Sequence, residues 1–409
     1  MNNNMKLTYP AYFKNFRCIG GECSDTCCKG WDIEIDKDTF EDYCKVKDDS
    51  TRIIIENNII KNDECTSSDL DYGVIKLNND GLCPFLDAGG YCSIYTKLGE
   101  EYLSNICTHF PRIINKVDNN YEISLDVACN EAAQLILGEK EGIKFECGEK
   151  EFIKYIINDE YNTNSKKFRS SPIRYLKEIR DYSIRIIQNR NYNLSERLYI
   201  LGDLMEKLVE AEDNDDCSSI PEILENFNMN MSAEAFKRDE MDYIFQIIFF
   251  RNIVDTSNIS EKAISAAFKE YTEELLHGFG ADEIKDFRDN SQKYMDAFED
   301  YESKIMEENS YIFENYMVNL MYNYLFPFSE SDDMFEGYMM LVVRYSFIRF
   351  YLVGMHISSG VGGDTPQDVI KFISSFGRSI EHDKNYIPKI ADYIEKNKYF
   401  NIDFARKLL

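Results

Sequence analysis

The stretch Cys18-Ile-Gly-Gly-Glu-Cys23-Ser-Asp-Thr-Cys27-Cys28 packs four thiols into one short segment. Eight more cysteines follow at 44, 65, 83, 92, 107, 129, 147 and 217, so eleven of the twelve lie within the first 150 of 409 residues. Thiols a few residues apart can close around one metal ion, because the backbone between them forms a compact loop. The start, Met1-Asn-Asn-Asn-Met5, has no apolar core of the kind a secretory signal carries. A cytoplasmic location is therefore expected. Thiols there stay reduced, and the cluster reads as metal or redox chemistry before disulfides.

Glycine shows the same asymmetry. Eleven of the 20 glycines fall at or before Gly148, and Gly202 is alone between 149 and 277. The first part thus reads as loop-rich with short strands. Trp31-Asp-Ile-Glu-Ile-Asp36 alternates like a half-buried strand, and Arg112 to Leu125 reads as a hairpin turning at Asp118-Asn-Asn120. Beyond about 150 the periodicity is helical. Ser171-Pro172 offers an N-cap with proline at the first helical position, Ser195 opens a second segment, and Gly278 is placed to stop a helix over 263–277. The segments 241–254 and 338–357 are apolar nearly all round, as suits helices inside a bundle. The acidic runs 210–216 and 330–333 read as solvated loops. The expected fold is mainly α: a cysteine-rich, metal-binding domain over 1–148, then an all-helical domain over 149–409.

Lys and Arg number 46 against 73 Asp and Glu, a formal charge of −27. Such a balance argues against a nucleic-acid partner, whose phosphates call for cations. Arg344 and Arg349 interrupt the longest apolar stretch, so no membrane partner is expected. Steering of lysine-bearing substrates by the acidic surface is a possible use of the charge, although acidic surfaces commonly serve solubility alone.

The candidate metal ligands are Cys18, Cys23, Cys27, Cys28, Cys83, Cys92, Cys107 and Cys129. Four thiolates satisfy a tetrahedral zinc or a cluster such as 4Fe-4S, and eight would satisfy two centres. An all-sulfur set argues against calcium or magnesium. Cys27 and Cys28 are adjacent, so their side chains are expected to point apart, toward different centres. Cys217 reads as a buried small hydrophobe. Among the four histidines, His277 suits the last turn of a helix, His356 reads as a partnered core residue, and His109 is a possible nitrogen ligand. His382 follows Arg378 by four residues, which places both on one helix face beside Glu381. These two are the catalytic candidates, for binding a carboxylate or moving a proton; an ion-pair network explains them equally well. Ser359-Gly-Val-Gly-Gly-Asp364 is the nearest approach to a glycine-rich cofactor loop, but it follows an apolar helix rather than a strand and reads as an ordinary loop. No three-cysteine radical motif is present.

Cys18 to Cys28, Cys83-Pro-Phe-Leu-Asp-Ala-Gly-Gly-Tyr-Cys92 and Cys107-Thr-His-Phe-Pro-Arg112 resemble the zinc- or iron-chelating cysteine-cluster family. Tyr9-Pro10-x-Tyr12, Leu98-Gly99-Glu100 and Cys129-Asn-Glu-Ala-Ala133 are similar to its flagellin lysine-N-methylase branch. So are Asn315-Tyr316 through Phe326-Pro327-Phe328 and Ser375-Phe376-x-Arg378-x-x-Glu381-His382. The spacing of the first cluster is wider than the family pattern, and Asn130 stands where proline is expected. The resemblance implies an enzyme that moves methyl groups from S-adenosylmethionine to lysine ε-amines of flagellin. The alternative is a non-catalytic iron–sulfur or zinc protein acting in electron transfer or as an interaction module.

Overall fold

In the computed structural model the expected hairpin is present, as β5 (Arg112–Val117) and β6 (Asn120–Leu125). Val117 pairs with Asn120, so the turn is two residues long, with Asp118 at φ +58°. The Asp118 carboxylate steadies it by accepting from the Thr163 N–H (2.8 Å) and from Lys177 (2.6 Å). The structure describes residues 5–23, 25–30, 33–150, 154–257, 265–279, 287–328, 330–359, 365–382 and 386–409. Met1 to Asn4, Ser24, Trp31, Asp32, the first two residues of the helix expected over 263–277, and Gly360 to Asp364 lie outside them.

The hairpin sits in a five-stranded sheet of order β7-β1-β6-β5-β8, with β1 at Met5–Pro10, β7 at Phe145–Lys150 and β8 at Glu160–Tyr161. β1 runs parallel to β6 and antiparallel to β7. A separate antiparallel sheet, β2-β4-β3, comprises Ile33–Ile35, Gly73–Ile75 and Ile59–Lys61. It has a small core of its own, in which Ile35 and Phe85 are buried and against which Cys28 and Cys92 pack. Asp36 starts the helix after β2 by accepting from the Thr39 N–H. Its other oxygen accepts from the Asn105 N–H, so one buried carboxylate holds the starts of two helices.

The remainder is helical among the described residues apart from β8. Met334–Ser359 is the central helix, and the helices Leu194–Asp213, Ala266–Gly278 and Phe287–Tyr301 pack around it. By length and composition this helix could cross a membrane, but 89% of its apolar window is buried inside the protein. Its two arginines find partners there through their terminal nitrogens: Arg344 in Glu330, and Arg349 in the carbonyls of Leu408 and Leu409. Gly278 ends its helix against the central one so closely that a Cβ would lie 2.2 Å from the Gly354 carbonyl oxygen.

Several local readings need correction. Asn193, not Ser195, caps the second helix, in a reciprocal box with Glu196; Ser195 is buried and donates to the Leu409 carbonyl. The run 210–216 is helical to Asp213. The run 330–333 is the solvated loop expected, with Glu330 also held by Arg344 of the helix that follows. Ser171 caps a 3-10 turn, Pro172–Tyr175, that leads into the helix Leu176–Ile187.

The two parts of the chain share one core. The helix Asn130–Leu137 packs against the helices Ser310–Asn323 and Pro366–Phe376. On Ser310–Asn323 three asparagines at four-residue steps face the N-terminal segment. Asn315 donates to the Glu139 carbonyl (2.7 Å), while Asn319 and Asn323 both donate to that of Leu125 (3.0 and 3.2 Å). Asn319 in turn accepts from the Tyr12 hydroxyl, and Asn323 from that of Ser124. All three are buried, where such groups are costly unless paired.

Candidate active site and thiol clusters

The thiols are gathered by backbone. The Cys83 N–H donates to the Cys28 carbonyl at 2.8 Å, and Leu86 bridges to Cys92. The Gly20–Glu22 turn meets the loop before Cys92 so tightly that a Cβ on Gly21 would lie 2.1 Å from the Gly89 carbonyl oxygen. Ser104 caps the short helix carrying Cys107. Two groups result. Burial, aided by Cys28, Cys107 and Cys92, pushes the Cys83 thiol up to about 12. Cys107 is an exposed residue whose thiol is nevertheless raised to about 12, desolvation of its sulfur coming first and Cys28 and Cys92 adding to it. In the second group desolvation takes Cys129 up to about 11, aided by Cys23 and Cys18.

Cys27 lies between the groups. Contrary to the expectation that adjacent side chains diverge, the Cys27 thiol donates to the Cys28 sulfur, which holds Cys28 down to about 7 and raises Cys27. The cause is a tight bend, in which the Cys28 N–H donates to the Thr26 hydroxyl and Gly30 takes φ +82°. Cys27 also feels Cys107 and Cys129. Among the described residues no three potential ligands converge at coordination geometry. The donors are nevertheless all sulfur, the kind of set that zinc and iron–sulfur sites use. His109 takes no place in either group: it is buried, and burial lowers its pKa to about 4. Of the remaining cysteines, Cys44, Cys65 and Cys147 are exposed, and Cys217 is buried with its thiol on the Ser170 carbonyl.

Beside the thiols lies the block 375–382. Its Gly377–Glu381 segment is a π-type turn. Arg378 is fully engaged with the cysteine-rich segment: it donates to the Asp25 carboxylate (2.7 Å) and to the carbonyls of Thr26, Asp25 and Ala128. This arginine is a clamp between the loops that carry Cys23, Cys27 and Cys129. His382 Nε2 meets Asp126 Oδ2 at 2.9 Å. The negative charge of Asp126 raises His382 to about 9 against the opposing effect of burial. Burial works against ionised Asp126, but His382 and the Ala128 N–H hold its carboxyl below the usual range. Glu381, next in sequence, accepts from the Tyr316 hydroxyl, and burial raises its pKa. His277 and His356 are partnered elsewhere, with Ser358 (3.0 Å) and Asp300 (3.4 Å).

Two clefts meet here. One, of about 390 Å³, is lined by His109, Arg112, Asp126, Asn323, Tyr324 and His382. The other, of about 520 Å³, is lined by Tyr324, Glu330, Glu336, Arg344, Glu381 and Glu395 among others. Tyr324 belongs to both. A larger cleft of about 1250 Å³ lies between the β1–β6 face and the helix Leu176–Ile187, with the buried Arg180–Glu122 pair in its wall. Sequence reasoning singled out His382 and Arg378 but missed Asp126, Tyr324 and the shared wall.

The FliB lysine N-methylase C-terminal domain matches residues 180–408, which take in the central helix, Tyr324 and His382. The chain is 37% identical over 164 residues to the "Flagellar biosynthetic protein FliU" of Salmonella muenchen, covering 40% of this chain and 94% of that one. It is 24% identical over 405 residues to the "Lysine-N-methylase" of Salmonella typhimurium, covering 95% of each. A "Lysine-N-methylase" of Salmonella choleraesuis is 35% identical over 153 residues, 37% of each chain. No solved structure matches. By class this is a protein-lysine methyltransferase. The chain belongs to the FliB lysine N-methylase family, and the non-catalytic alternative falls away with that membership.

Proposed function

We propose that this protein transfers methyl groups from S-adenosylmethionine to lysine ε-amines of flagellin, in the cytoplasm, in the cleft that His382 and Asp126 line. The observation carrying this reading is that sequence blocks far apart in the chain come together at that one place. They are His109 to Arg112, Asp126, Asn323-Tyr324 and His382, backed by Arg378 on the Ala128 carbonyl and Tyr316 on Glu381. Methyl transfer needs a neutral amine held in line with the donor's methyl group, and most of the rate can come from that positioning. A protonated His382 favours the donor's carboxylate, Asp126 favours its positive groups, and Tyr324 offers an aromatic face to a cation. Arg378 acts through position, by fixing the turn that carries His382.

The chain divides, in this reading, into a metal-binding part over 1–148 and a helical part over 149–409. Cys28, Cys83, Cys92 and Cys107 form one thiol set, and Cys18, Cys23, Cys27 and Cys129 the other. A zinc ion or iron–sulfur cluster held there would supply the charge that lets the thiolates form, and would cross-link loops with little core of their own. Incubating the purified protein with flagellin and labelled S-adenosylmethionine tests the activity. Label on lysine is expected; none, from protein with its metal intact, overturns the reading. Anaerobic purification with elemental analysis and a visible spectrum decides between a coloured iron–sulfur protein and a colourless zinc one. Metal-free protein with full activity would defeat the thiol assignment.

A further inference from the structure

The cleft of about 520 Å³ is markedly acidic. Arg344 is its single arginine, and Glu330 already neutralises it (2.8 Å). Asp392 is paired with Lys396 at the surface. Glu336, Glu381 and Glu395 have no cationic partner among the described ion pairs; Glu336 and Glu381 accept from the hydroxyls of Ser331 and Tyr316. The remaining wall, including Tyr324, Met340 and Phe400, is apolar or aromatic, the surface that a lysine's four methylenes require. Glu381 ends the π-type turn and His382 follows it directly, and each lines a different one of the two clefts that share Tyr324.

Resting on the methyltransferase reading above, we infer that the substrate lysine enters through this acidic cleft and gives its proton to Glu381 beside Tyr324, across which the methylsulfonium donor sits. The ammonium proton passes to the Glu381 carboxylate. The freed nitrogen pair forms the N–C bond as the C–S bond breaks, and its electron pair stays on sulfur, so sulfonium becomes thioether. Burial raises Glu381 above an ordinary carboxylate, which makes it a better proton acceptor. The charged and titratable groups around it are Arg344, Tyr316, Tyr324, Asp126 and His382.

The test is steady-state methyl transfer to a lysine-bearing flagellin peptide, with donor-side affinity measured separately by calorimetry with S-adenosylhomocysteine. Glu381→Gln is expected to lower kcat by roughly 100-fold and leave S-adenosylhomocysteine affinity unchanged, with Glu381→Asp recovering part of the rate. Glu395→Lys, at an exposed rim position, is expected to raise KM for the peptide by about tenfold at unchanged kcat and donor affinity. This variant carries the test if Glu381→Gln does not fold. Near-normal kcat in Glu381→Gln, or an unmoved peptide KM in Glu395→Lys, overturns the inference. An inactive wild-type enzyme would instead strike the underlying reading, so the two failures are separable.

Discussion

Replacing Asp126 by asparagine removes the charge that holds His382 protonated while keeping an oxygen for the Ala128 N–H, which Asp126 now accepts at 2.8 Å. His382 rises from an ordinary 6.5 to about 9 in the folded protein, and at about 1.4 kcal/mol per unit that is worth about 3 kcal/mol. The His382 side chain is 39% exposed, so solvent screening reduces the figure to about 1–1.5 kcal/mol. The folded value lies above the unfolded one. The stabilisation is therefore complete below pH 6.5 and lost as pH rises through about 9. Asp126→Asn should melt lower than wild type at pH 6, and the two should converge above about pH 9.5. With only four histidines in the chain, ring-proton titration by NMR can follow His382 directly. A wild-type His382 titrating at or below 6.5, or parallel stability curves for the two proteins, would refute the reasoning.

Arg180 and Glu122 form a bidentate pair with both side chains about 4% exposed. Glu122→Gln strands a buried cation and should cost about 3–5 kcal/mol in urea unfolding, whereas a double replacement by apolar residues should cost much less. Serine at Cys23, Cys27, Cys83 or Cys92 should release metal and lower the melting temperature; retained metal and unchanged melting in all four would defeat the ligand assignment. Gly278→Ala drives a Cβ into the Gly354 carbonyl and should destabilise by about 1–3 kcal/mol, read in thermal melts.

Much of the architecture was legible because it rests on local chemistry. The hairpin at Asp118, the Ser171-Pro172 start and the Gly278 stop are set by a few adjacent residues. Crowding of cysteine into the first part likewise foretold where loops would prevail. What escaped depends on partners far apart in sequence. Nothing near exposed Glu330 in sequence reveals its pairing with Arg344, fourteen residues on in the helix that follows. Asp126 carries no signal beside Cys129 until His382, 256 positions later, is folded against it. Cys27 and Cys28 do not diverge as adjacent side chains commonly do, because the bend closed by Thr26 brings their sulfurs together. Asn315, Asn319 and Asn323 share one helical face by their spacing, but polar residues at such steps usually mark a wet surface, and only the fold shows them buried.

Those three amides have a consequence for engineering by recombination. Each reaches a main-chain oxygen of the other half, at Glu139 or Leu125, and a carbonyl cannot be altered to suit a new neighbour. A chimera joining the front of this chain to the back of a relative would therefore keep its acceptors whatever the graft. It would lose its donors wherever the relative lacks amides at matching steps. The seam would then hold several stranded dipoles, each costing about 1–3 kcal/mol, and swapping halves would succeed only when the asparagines travel with the helix.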